Sequence, residues 1–198
     1  MDVIEKDPKF YKYIAKPVVT AFMRLVYHPK YYGKENIPKD GRIVLAGNHT
    51  NNLDCLLIIA SSKRVVHFMA KDSLYKGFKK HLFKHMGIIP VNRKIKDKDC
   101  LITAKNFLNK DLTIGIFPEG TINRTDDTIM KFKIGAVKMA HDTGSMIVPF
   151  VIKGKYKLFK NDLRIRYFKP ITIKDDILDN DNEKLMKIIK KNLEDDEV

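Results

Sequence analysis

The stretch GNHTNNLD, residues 47–54, sets His49 five positions ahead of Asp54 and follows the apolar run IVLA at 43–46. If a strand ends and a helix begins here, a tight turn brings the two side chains together. The carboxylate then accepts a bond from one imidazole nitrogen and fixes the tautomer, and the other nitrogen is left to take a proton from a substrate hydroxyl. The same spacing also suits an aspartate that caps a turn beside a polar histidine, and spacing alone does not choose. No Gly-x-Ser-x-Gly elbow occurs, and neither Cys55 nor Cys100 has a partner at metal-ligand spacing. An attacking hydroxyl therefore has to belong to the substrate, and neither a metal site nor a disulfide framework is expected.

Two further stretches, GIIPVNR at 87–93 and FPEGTINR at 117–124, each read as a strand running into a polar loop. In an open α/β sheet, ligands gather at the carboxyl ends of strands. Arg93 offers a guanidinium that can grip a phosphate bidentately, the Gly120-Thr121 turn can present backbone N–H groups to the same anion, and Arg124 adds a second positive charge. Glu119 repels phosphate, so its tasks are to orient Arg93 or Arg124 or to accept a bond from a substrate hydroxyl. A structural ion pair is the alternative for each of these charges.

The elements that must position these groups alternate between β and α patterns. Strands are predicted over 43–46, 65–70, 88–92, 113–117 and 146–152, with a late pair at 155–159 and 163–168. Helices are predicted over 54–61, 73–86, 97–109, 133–142 and 182–193. This is the pattern of an α/β fold, a single domain with a mixed, largely parallel sheet flanked by helices. Ahead of it, Asp7-Pro8 opens a short helix to Ala15, and Pro17 breaks and restarts the pattern, giving two tandem helices over 8–27. Lys12, Lys16, Thr20, Arg24 and His28 form a thin polar stripe on an otherwise apolar surface, which needs cover from the core or from a lipid interface. The division is an amphipathic helical segment at 1–32 and an α/β domain at 33–198.

A chain of 198 residues with 44% hydrophobic content suits one core. Its 38 basic against 24 acidic residues, a formal charge of +14, favour an anionic membrane surface, polyanions or phosphorylated substrates. No helix-turn-helix, zinc spacing or aromatic RNA-binding strand is present, so nucleic acid is not an expected partner. Two distant cysteines suit the reducing cytosol, and no run approaches the roughly 18 apolar residues of a membrane-spanning helix.

Taken in order, Asn48-His49 with Asp54, Gly87 through Arg93, FPEGT at 117–121 and IVPFVI at 147–152 resemble the four motifs of the glycerolipid acyltransferases. The resemblance spans about residues 43–152. It implies a glycerol-3-phosphate acyltransferase-like fold and transfer of a fatty acyl group to the free hydroxyl of 1-acylglycerol 3-phosphate (lysophosphatidic acid), giving phosphatidic acid. It further implies that His49 is the base and Asp54 its partner, that Arg93, Glu119 and Gly120 help hold the acceptor phosphate, and that the donor is acyl-CoA or acyl carrier protein. Neither cofactor nor metal is implied. Lys71 or a backbone N–H near His49 is a candidate oxyanion donor. A bilayer-borne acceptor tips the amphipathic N-terminus toward membrane docking, peripherally on the cytoplasmic face.

The chain departs from the family pattern at Asn51, where Ser is frequent, at Asn52, where an aromatic is frequent, and at Ile122, where Arg is common. Arg124 is a candidate to replace that charge. Glycerol 3-phosphate or dihydroxyacetone phosphate as acceptor, and a non-catalytic lipid- or nucleic-acid-binding protein, are the competing readings.

Overall fold

The computed structural model describes residues 9–75, 77–92, 98–174 and 177–195. After a π-helical turn at Tyr11–Ala15 come α1 (Lys16–Tyr27), β1 (Lys30–Tyr32), β2 (Ile43–Gly47), α2 (Asp54–Ser61), β3 (Val66–Lys71), α3 (Phe78–His85), β4 (Ile89–Val91) and α4 (Lys98–Leu108). Then follow β5 (Thr113–Ile116), α5 (Gly135–Thr143), β6 (Met146–Lys153), β7 (Arg164–Tyr167), β8 (Ile171–Thr172) and α6 (Leu178–Glu194).

The strands form one sheet in the order β1-β7-β6-β2-β5-β3-β4, with β8 also paired to β6. Strands β6, β2, β5, β3 and β4 are parallel, while β7 and β8 run antiparallel to β6. Every residue of β2 is buried, as expected of a central parallel strand covered on both faces. Alternation splits its side chains. Ile43 and Leu45 join α1 and α2 in one core cluster, while Val44 and Ala46 join α4, α5 and α6 in the other.

Pro149 sits inside β6 without breaking it. Its position falls where β6 changes partner from β8, paired through Ile147, to β7, paired from Phe150 onward, so no ladder bond is lost there.

Three expectations are corrected, and two short strands are added to those expected. The N-terminal region is one continuous helical run, not two helices broken at Pro17: the Lys16 N–H bonds to the Tyr11 carbonyl, a wider turn that makes room for the proline ring. Residues 155–159 are a loop, because β6 pairs directly with β7 in a hairpin and leaves them no neighbouring strand. The helix expected over 73–86 is a 3-10 turn at Asp72–Leu74 followed by α3, with Gly77 at φ 56° before α3 begins. Strands β1 and β8, of three and two residues, were not anticipated.

Candidate functional site

Strands β2 and β5 are adjacent and parallel, with Ala46 opposite Ile116. The chain leaves β2 into α2 on one face of the sheet, and leaves β5 toward α5 on the other. Between the carboxyl ends of two such strands lies a topological switch point, where open α/β sheets bind ligands. His49 and Glu119 face each other there, three residues beyond the last paired position of each strand.

The His49 Nδ1 lies 2.9 Å from Asp54 Oδ2. The same oxygen accepts the backbone N–H groups of Thr50 at 2.6 Å and Asn51 at 2.8 Å, so Asp54 orients the imidazole and caps the turn at once. The five-residue spacing thus brings both the side-chain contact and the turn cap. The other oxygen, Oδ1, accepts the Tyr156 hydroxyl at 2.6 Å and the Thr50 hydroxyl at 3.1 Å. Asp54 is fully buried, and these donors stabilise its charge.

The imidazole stacks on Phe117, with ring centres 4.0 Å apart and planes 9° from parallel. Asp54 on one nitrogen and Phe117 on one face fix the ring, so Nε2 is the nitrogen left for a substrate. The His49 side chain is 14% exposed, and Nε2 bonds to no protein group among the described residues.

Glu119, expected in the acceptor site, has both carboxylate oxygens engaged by backbone N–H groups. Its Oε1 accepts the His49 N–H at 2.8 Å and its Oε2 the Met130 N–H at 2.9 Å, so this buried carboxylate holds the His49 turn to the 121–131 loop. The Asn123 N–H adds a bond to the His49 carbonyl at 2.9 Å. On the other side, the buried Asn48 side chain exchanges two hydrogen bonds with the Ile152 backbone, tying the end of β2 to β6.

Gly120 has φ +75°, and a Cβ there would fall 2.7 Å from Lys133 Nζ. The Lys133 ammonium thus lies over the Gly120 backbone, with no hydrogen-bond or ion-pair partner among the described residues. Sequence reasoning missed it, although it belongs to the stretch FKIGAVKMA. Thr121 and Arg124 are exposed on the same loop. Lys71 ends β3, separated from β2 by β5, hence about 10 Å away across the sheet. Arg93 lies outside the described residues.

The backbone N–H groups of His49, Thr50 and Asn51 are all engaged by carboxylates. They are therefore closed to an oxyanion. Cys55, next to Asp54, is pushed up to about 12 by burial first and the neighbouring carboxylate second, which keeps it a thiol and a poor nucleophile.

The chain belongs to the acyltransferase family, whose model matches residues 28–153. It is 37% identical over 130 residues to the 1-acyl-sn-glycerol-3-phosphate acyltransferase of Borreliella burgdorferi, covering 64% of this chain and 52% of that protein. To the enzyme of the same name from Bacillus subtilis it is 30% identical over 127 residues, 63% of this chain and 62% of that one. The chain spans about half the length of several such relatives. Its fold matches the crystal structure of the 1-acyl-sn-glycerophosphate acyltransferase of Thermotoga maritima, with a TM-score of 0.76 at 20% identity, over 96% of this chain and 82% of that one.

Proposed function

We propose that this chain transfers a fatty acyl group from an acyl thioester to the free hydroxyl of 1-acyl-sn-glycerol 3-phosphate. The observation that carries the reading is an imidazole fixed by Asp54 and Phe117 with its Nε2 unpartnered, at the sheet's switch point and beside the Gly120 turn. The names of the relatives support the acceptor. As the hydroxyl oxygen bonds to the thioester carbonyl carbon, His49 Nε2 takes its proton. The tetrahedral intermediate then expels the thiolate, which recovers that proton from the imidazolium, leaving phosphatidic acid and free thiol. No metal takes part, and a protonated Cys55 favours direct transfer over an acyl-enzyme. Charge on the tetrahedral oxygen falls to a side-chain cation, Lys71.

The test is acylation of lysophosphatidic acid, glycerol 3-phosphate and dihydroxyacetone phosphate by purified protein, with acyl-CoA and with acyl carrier protein thioester. Phosphatidic acid from the first acceptor is expected. Product from either small acceptor alone would replace the reading.

In this reading Lys133 and Arg124 supply cations that meet the acceptor phosphate. Both side chains are exposed, but that of Lys133 packs on the Gly120 turn, so Lys133 has the larger role. Lys133→Glu is expected to raise the acceptor KM by about 10- to 100-fold, the worth of a charge-assisted contact, with kcat changed far less. Steady-state kinetics against acceptor concentration check this, and an unchanged KM removes Lys133 from the site.

A lipid acceptor also gives the N-terminal helix a task. One stripe, carrying Tyr11 and Met23, is buried in the core beside α2. A second apolar stripe, Phe10, Ile14, Val18, Phe22 and Leu25, stays open, with Val18 63% and Leu25 70% exposed. Lys12, Lys16 and Arg24 flank it, the arrangement of a helix lying in an anionic lipid interface. Among the described residues no helix is long and apolar enough to cross a membrane.

A further inference from the structure

The loop 155–160, KYKLFK, joins β6 to β7, and its residues face two ways. Tyr156 turns inward. Its hydroxyl donates to Asp54 Oδ1 at 2.6 Å, and its ring meets that of Tyr27 edge-on at 5.6 Å. Burial first, and the Asp54 carboxylate second, push this hydroxyl well above its ordinary value, so it remains a donor. Leu158 and Phe159, by contrast, are 61% and 71% exposed, between exposed Lys157 and Lys160. Phe159 adopts φ 56°, a left-handed conformation unfavourable for a bulky residue. What holds it there is its N–H, bonded to the Val26 carbonyl of α1 at 2.7 Å. The loop is thus pinned at one point to the helix with the open apolar stripe, and at another to the carboxylate that orients His49.

We propose that this loop couples lipid contact to the catalytic pair: the Leu158–Phe159 tip enters the surface of an anionic bilayer, and Tyr156 acts as a positioning residue that holds Asp54. The proposal rests on the docking and catalytic readings above. An anionic bilayer is the occupant because the apolar tip continues the α1 stripe, the loop adds Lys155, Lys157 and Lys160 around it, and the acceptor is itself a lipid. Tyr156 matters because its bond draws on the negative charge that faces His49. The other groups around the pair are Cys55, which is neutral, Tyr27, and Glu119, which meets His49 through its backbone. Without the Tyr156 hydroxyl, Asp54 loses a bond that fixes its carboxylate, so the imidazole on its other oxygen is held less firmly.

The chain contains no tryptophan, so Phe159→Trp is a single fluorescent reporter of the tip. Its emission is expected to shift to the blue with phosphatidylglycerol vesicles and not with phosphatidylcholine vesicles. Protein that sediments with anionic vesicles while this emission stays unchanged overturns the tip's role and leaves the docking of α1 standing. Protein that does not sediment overturns docking itself, and the proposal with it. Tyr156→Phe is expected to lower kcat about tenfold with the acceptor KM unchanged and a melting temperature close to the parent's, whereas a merely structural role lowers the melting temperature along with activity. A kcat equal to the parent's overturns the coupling even if the parent acylates lysophosphatidic acid as proposed.

Discussion

Replacing His49 by alanine is expected to lower kcat for phosphatidic acid formation by roughly 10³-fold, with a much smaller change in acceptor KM. The size follows from the role. A positioned general base contributes on the order of 10² to 10⁴, and its loss leaves the orienting and charge-stabilising groups in place. The split between kcat and KM follows from the geometry. The cation over the Gly120 turn is separate from the imidazole, so lipid binding survives the substitution. Because the His49 side chain is only 14% exposed and stacks on Phe117, its removal also opens a small space. An unchanged circular dichroism spectrum and a melting temperature close to the parent's separate loss of chemistry from loss of fold. Activity within about tenfold of the parent would be too much for a missing general base and would move that role to another group.

The same pair shows what a sequence makes legible. His49 and Asp54 lie five residues apart across a strand-to-helix turn, so their contact is local, and the apolar run of β2 marks the strand that delivers them. The long parallel strands are legible for a related reason: burial on both faces demands an unbroken apolar run. Tyr156 is the opposite case. It reaches Asp54 from 102 residues away, and nothing in KYKLFK sets it apart from a strand of mixed polarity. Strand β1 is equally hidden, because three residues at the sheet edge, two of them exposed, carry no burial pattern of their own. Pro17 misleads for a local reason. The rule that proline ends a helix assumes a regular turn before it, and here a π turn removes the clash. The bonds of Glu119 were not legible, since which donors meet a carboxylate depends on loops that only the fold brings together.

Asp54 both caps a turn and holds the His49 imidazole, and two substitutions are expected to separate these tasks. In Asp54→Asn, the amide oxygen can keep the N–H groups of Thr50 and Asn51 and the His49 Nδ1–H, all of which now meet Oδ2. The amide NH₂ then faces the hydroxyls of Tyr156 and Thr50, which can rotate to accept. The fold survives at a cost of about 1 to 2 kcal/mol, as charge-assisted bonds become neutral ones. Catalysis does not: without the negative charge nothing stabilises the imidazolium that forms as the hydroxyl attacks, and kcat is expected to fall on the order of 10³-fold or more. In Asp54→Ala the turn loses its acceptor as well. The partly buried N–H groups of Thr50 and Asn51 and the Tyr156 hydroxyl lose their common acceptor, a loss of about 3 to 5 kcal/mol. For a chain of this size each kcal/mol lowers the melting temperature by about 2 to 4 °C, so thermal melts resolve the two variants. Equal melting temperatures would mean the carboxylate does not hold the turn. An Asp54→Asn protein with near-parental kcat would mean its charge does not serve the imidazole, and His49 would then need another partner to act as a base.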